Sequence, residues 1–137
     1  MEPKNLKLIA RTDEDLRIIS AHLQDSIVST KDIANLKKNK IFLMQLNRLM
    51  WEDVEKGVFR KNKRIRTILK FDNVIEVNSK NISQMSKDKF LDFLAIESNQ
   101  MPDNNYEMKL IFSGDSIIRI LAEVIEVALD DQGEPWD

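Results

Sequence analysis

The 137-residue chain has no cysteine, one histidine, three glycines and three prolines. Without cysteine there is no disulfide, no thiolate nucleophile and no sulfur-ligated metal site. The single histidine, His22, excludes multi-histidine zinc sites. No G-x-S-x-G elbow and no glycine-rich phosphate loop occurs, so neither serine-hydrolase chemistry nor nucleotide hydrolysis is expected, and no cofactor is implied. No apolar run approaches the ~20 residues that span a bilayer. The opening MEPKNLKLIARTDEDL lacks the apolar core of a signal peptide, which makes the cytoplasm the expected location. No linker, low-complexity stretch or repeat divides the chain, so residues 1–137 read as one domain.

What is present is a globular composition. Hydrophobic residues make up 42% of the chain, enough for a core, and charged residues make up 32%. The net charge is only −2, but it is unevenly spread. Residues 60–70, RKNKRIRTILK, hold six bases and no acid, whereas residues 123–137, EVIEVALDDQGEPWD, hold six acids and no base. The two segments could face each other in the fold and cancel.

Hydrophobic spacing suggests the elements. NLKLIA at 5–10 reads as a first strand. Thr12 caps a helix over roughly 12–25, with Asp13, Glu14 and Asp15 suiting the helix dipole and Leu16, Ile19, Leu23 and Ile27 forming a stripe. Asp32–Leu36 and Ile41–Met50 flank a hairpin turn at Lys37–Lys40. Phe42, Met44 and Leu46 share a face, and the apolar phase then moves to Leu49 and Trp51, which predicts a bulge at Asn47-Arg48. Ile65–Asn78 reads as two strands turning at Asp72-Asn73, and Phe90–Glu97 as a central strand covered on both faces. Tyr106–Phe112 and Ile117–Leu121 make a hairpin around Ser113-Gly114-Asp115. Leu121, Val124, Ile125, Ala128 and Leu129 fit a terminal helix stopped by Gly133 and Pro135, with a β reading of EVIEVAL as the alternative. The expected class is α+β: an antiparallel meander of six to eight strands with a helix near each terminus. A pleckstrin-homology-like roll is one architecture with that order of elements.

LKLIA at 6–10, DEDLRIISAHLQD at 13–25, LNRLMWE at 46–52, LKFDNV at 69–74, IIRILAEVIEVALDD at 117–131 and GEPW at 133–136 together resemble domain-of-unknown-function family 2948. These are short uncharacterised bacterial proteins, and the resemblance runs in register over nearly the full length. It implies a single domain in a bacterial cytoplasm and no particular chemistry. The family's glycine-rich turn is here SGDS, with a single glycine, which argues against a phosphate-cradling loop.

Three groups of residues are candidates for a site. His22 with Asp25 on the next turn could form an acid–base pair, although a boundary histidine with a local hydrogen bond is the plainer reading. Arg48, Trp51 and Glu52 lie at the expected bulge and include the residue types that anchor interfaces. There the plainer reading is a core tryptophan and a local Arg48–Glu52 pair. The cations Lys61, Lys63, Arg64 and Arg66 could meet an anionic partner, or form a solvated turn. The favoured function is a non-catalytic interaction module for a protein or anionic partner; nucleic acid, an anionic surface and self-association rank below a protein. A small enzyme using His22, Asp25 and a nearby arginine is the competing class. Trp136, near the end of the chain, is expected to pack on the domain or on a second copy.

Overall fold

The computed structural model describes residues 5–50, 63–82 and 89–136. Among these residues there are nine strands and one α-helix. In chain order they are β1 (Lys7–Ala10), α1 (Asp13–Leu23), β2 (Ile27–Leu36), β3 (Ile41–Leu49), β4 (Arg64–Phe71), β5 (Val74–Lys80), β6 (Phe90–Gln100), β7 (Tyr106–Phe112), β8 (Ser116–Ala122) and β9 (Val127–Trp136). The strands hydrogen-bond in the order β1-β9-β4-β3-β2-β6-β7-β8-β5, and every adjacent pair is antiparallel. The α+β class holds, with more strands than expected and a helix only near the N-terminus.

Helix α1 forms for local reasons. Thr12 Oγ1 accepts the Asp15 N–H at 3.1 Å, and Asp15 Oδ2 accepts the Arg11 N–H at 3.0 Å. That backbone hydrogen bond from Arg11, with help from Thr12, holds the Asp15 carboxyl below its ordinary value despite a small opposing desolvation. Leu16, Ile19 and Leu23 are buried, as their spacing predicts, and the helix packs chiefly on β6. It ends at Leu23: Gln24 already has ψ 134° and Asp25 has φ 63°, so Ile27 opens β2 instead of extending the stripe.

One apolar cluster joins α1 to all the strands from β2 to β9. Phe42 meets Phe71 edge-on at 6.0 Å between β3 and β4, and Phe93 meets Phe112 at 5.7 Å between β6 and β7. The tight turns lie where the short polar residues put them. Asn73 (φ 57°) joins β4 to β5, Gly114 and Asp115 (φ 73° and 59°) join β7 to β8, and Lys40 (φ 56°) precedes β3.

Four expectations need correction. First, the terminal helix is strand β9. Val127, Leu129 and Asp131 face inward, and β9 fills the place between β1 and β4, where backbone pairing on both sides outweighs a helical stripe. The C-terminal helix expected to close a pleckstrin-homology-like roll is thus missing among the described residues. Second, β3 has no bulge at Asn47-Arg48. Its register with β4 runs unbroken from Phe42↔Phe71 to Leu49↔Arg64, because buried Arg48 continues the inward row of Phe42, Met44 and Leu46. Third, the irregularity lies on β2, which advances five residues from Val28 to Ile33 while β3 moves two, from Leu46 to Met44. Fourth, β6 is covered on one face only: Leu91, Phe93 and Ile96 are buried, while Phe90 and Leu94 are exposed.

Candidate functional site

The β2 irregularity opens a concave feature on the described surface. Past Val28, β2 leaves β3 and stays with β6, where Ser29 pairs with Phe90 and the Thr30 N–H donates to the Lys89 carbonyl at 3.0 Å. A polar groove of about 200 Å³ opens along the parting. It is lined by Ile27, Ser29, Lys31 and Asp32 of β2, Gln45 and Asn47 of β3, Arg66 of β4 and Phe90 of β6. In a regular strand, neighbours such as Lys31 and Asp32 would point to opposite faces. Here both line the same groove.

Its electrostatics are unsatisfied. Lys31, Asp32 and Arg66 make no ion pair among the described residues. Ser29, the most buried lining residue at 6% exposure, has a buried hydroxyl with no hydrogen-bond partner among them. Phe90 stands at the rim, 68% exposed.

The inner face of the same strands is the opposite case. Arg48 on β3, Thr67 on β4 and Asp131 on β9 are all buried. Arg48 Nε and Nη2 donate to the two carboxylate oxygens of Asp131 at 2.8 and 2.6 Å, a two-pronged pairing. Thr67 Oγ1 donates to Asp131 Oδ1 at 2.7 Å and the Leu6 N–H to Oδ2 at 2.8 Å, while Arg48 Nη1 donates to the Leu49 carbonyl at 3.1 Å. Burial pushes the Asp131 carboxyl up. The hydrogen bonds from Arg48, Leu6 and Thr67 and the arginine charge outweigh it, leaving the carboxyl below its ordinary value.

The residues singled out from sequence are therefore dispersed. Arg48 is sealed inside and paired with Asp131. Arg64 Nη1 donates to the backbone carbonyls of Asp25 (3.1 Å) and Asn47 (2.9 Å), tying the α1–β2 turn to β3. Lys63 is half-buried and its carbonyl accepts the Met50 N–H at 3.1 Å. Arg66 alone of that set lines the groove. Trp51, Glu52 and Lys61 lie outside the described residues. His22, in the last turn of α1, has a buried Nδ1 without a partner among the described residues. It makes no hydrogen bond with exposed Asp25, and neither lines the groove. The acidic C-terminal strand does lie beside the basic strand β4, but Arg66 faces Gln132 there, and Asp131 turns inward to Arg48. Trp136 pairs with Arg64 across the strands and stays 42% exposed.

Sequence reading missed Ser29, Lys31, Asp32, Gln45 and Phe90. The available signal was the polar run Ser29-Thr30-Lys31-Asp32 set between Ile27-Val28 and Ile33.

These features define an antiparallel sheet domain with one packed helix, a saturated ionic cluster inside and an unsaturated polar groove outside. The chain belongs to the family described as protein of unknown function (DUF2948), whose model matches residues 6–137. No curated protein and no solved structure matches it. No helix among the described residues is long and apolar enough to cross a membrane.

Proposed function

We propose that the chain is a single-domain, non-catalytic interaction module of the bacterial cytoplasm, and that its groove receives an anionic group of the partner. The observation that carries this reading is that Arg66 and Lys31, neither of them in an ion pair among the described residues, line one groove. A carboxylate or phosphate entering there would meet both cations. The amides of Gln45 and Asn47 would orient it, and charge-assisted hydrogen bonds are the stronger kind.

Backbone amide shifts followed by NMR during titration with acetate and inorganic phosphate at low salt test this. The expected result is a saturable set of shifts at Ser29, Lys31, Asn47 and Arg66 that is abolished by Lys31→Glu with Arg66→Glu. Shifts scattered over the surface, or none at the groove, would overturn the reading.

A further inference from the structure

Resting on that reading of the groove, we infer that its ligand is a compact zwitterion, a free α-amino acid with an apolar side chain, and not a polyphosphate. Three chemistries meet in the groove: the cations Lys31 and Arg66, the carboxylate of Asp32, and the apolar surfaces of Ile27 and Phe90. A site for a bare anion gains nothing from Asp32, which would repel it. A ligand with an ammonium group beside its carboxylate uses both signs, placing the carboxylate on Arg66 and Lys31 and the ammonium on Asp32. Its side chain then covers Ile27 and the exposed ring of Phe90.

The surroundings argue against an extended polyanion. Asp92 of β6 is cross-strand neighbour to Ile27, and Asp130 of β9 to Ile68 on the outer side of β4. Both lie on the same outward face as the groove, since their neighbours Leu91, Phe93, Leu129 and Asp131 are buried inside. A nucleic-acid backbone crossing this face would meet Asp92 beside the groove, and beyond it Asp130 with Lys7 as its cross-strand neighbour. Size points the same way. About 200 Å³ is less than the roughly 300–1,000 Å³ that holds drug-sized ligands, and suits one amino acid.

Four probes decide the matter by NMR titration of the intact protein: L-leucine, L-leucinamide, 4-methylpentanoate (leucine without its amine) and oligo-uridylate. L-Leucine should saturate the groove amides, and removing either its amine or its carboxylate charge should weaken binding roughly tenfold. Asp32→Asn should erase the advantage of leucine over 4-methylpentanoate and leave the affinity for 4-methylpentanoate no lower. If 4-methylpentanoate binds the groove as well as leucine, or oligo-uridylate binds it better, the zwitterion inference falls while the anion groove stands. If none of the carboxylate-bearing probes, acetate or phosphate moves the groove amides, both fall. Should Asp32→Asn fail to fold, the comparison of leucine with 4-methylpentanoate on the unaltered protein still decides.

Discussion

The two faces of β3 and β4 carry polar side chains to opposite ends. On the inner face, Arg48, Thr67 and Asp131 are buried and mutually bonded, and both carboxylate oxygens of Asp131 hold two donors each. On the outer face, Asn47 and Arg66 sit one residue away from those positions, in a groove with Lys31 and Asp32, and none of these three charges makes an ion pair among the described residues. Saturated polar groups hold the fold together, whereas unsaturated ones concentrated in a concavity leave binding capacity to spare. Residue type does not separate the two, because each face presents an arginine and an aspartate. The number of partners does.

The comparison breaks most visibly at Asp131. Replacing it by Ala leaves the Arg48 guanidinium buried without its counterion and should cost about 3–5 kcal/mol. Urea denaturation would measure this, and a loss below about 1 kcal/mol would show that Arg48 finds other relief. Adding Arg48→Met to Asp131→Leu should recover part of the loss, since a buried ion pair is worth little more than a well-packed apolar one.

A second large effect comes from the helix. Leu23→Ala, in the core under α1, should cost roughly 2–5 kcal/mol in the same measurement.

Acid sharpens the contrast. The Asp131 carboxyl is lowered from 3.8 in the fold, so the unfolded chain takes up its proton first as pH falls. Its contribution is complete above that value and is lost as pH drops from there through the lower folded value. Thermal melts between pH 5 and pH 2 should therefore show a stability loss below about pH 4 that is reduced in the Arg48→Met, Asp131→Leu protein.

The smallest stability effect is expected on the outer face. Lys31→Glu with Arg66→Glu should change stability by about 0.5 kcal/mol or less while removing anion-induced shifts. A large destabilisation would mean that these cations support the fold and that the faces differ less than their bonding suggests. His22→Gln, outside both regions, should likewise leave the fold intact, with a change under about 1 kcal/mol.

Helix α1 and the turns at Asn73 and Gly114-Asp115 were legible because their causes are local: a cap, a stripe and short polar residues tolerant of positive φ. Strand β9 and the unbroken course of β3 were not. Each carries a charge at an inward position, Asp131 and Arg48, and a charge there reads as an interruption of the two-residue period. An aspartate at 131 breaks the row begun by Val127 and Leu129, which leaves the helical stripe as the stronger apparent pattern. Arg48 likewise suggests that the buried phase has moved to Leu49 and Trp51.

By itself, the sequence determined the helix and its cap, the chain reversals, the absence of thiol chemistry and the opposite charge of two segments. These depend on residue type and on neighbours a few positions away. Tertiary structure decided that the acidic segment becomes a strand beside the basic one, that Arg48 is sealed inside, and that the β2 irregularity brings Lys31 and Asp32 to one groove with Arg66. A buried charge is tolerable only where its partner arrives, and Arg48 and Asp131 are 83 residues apart in the chain.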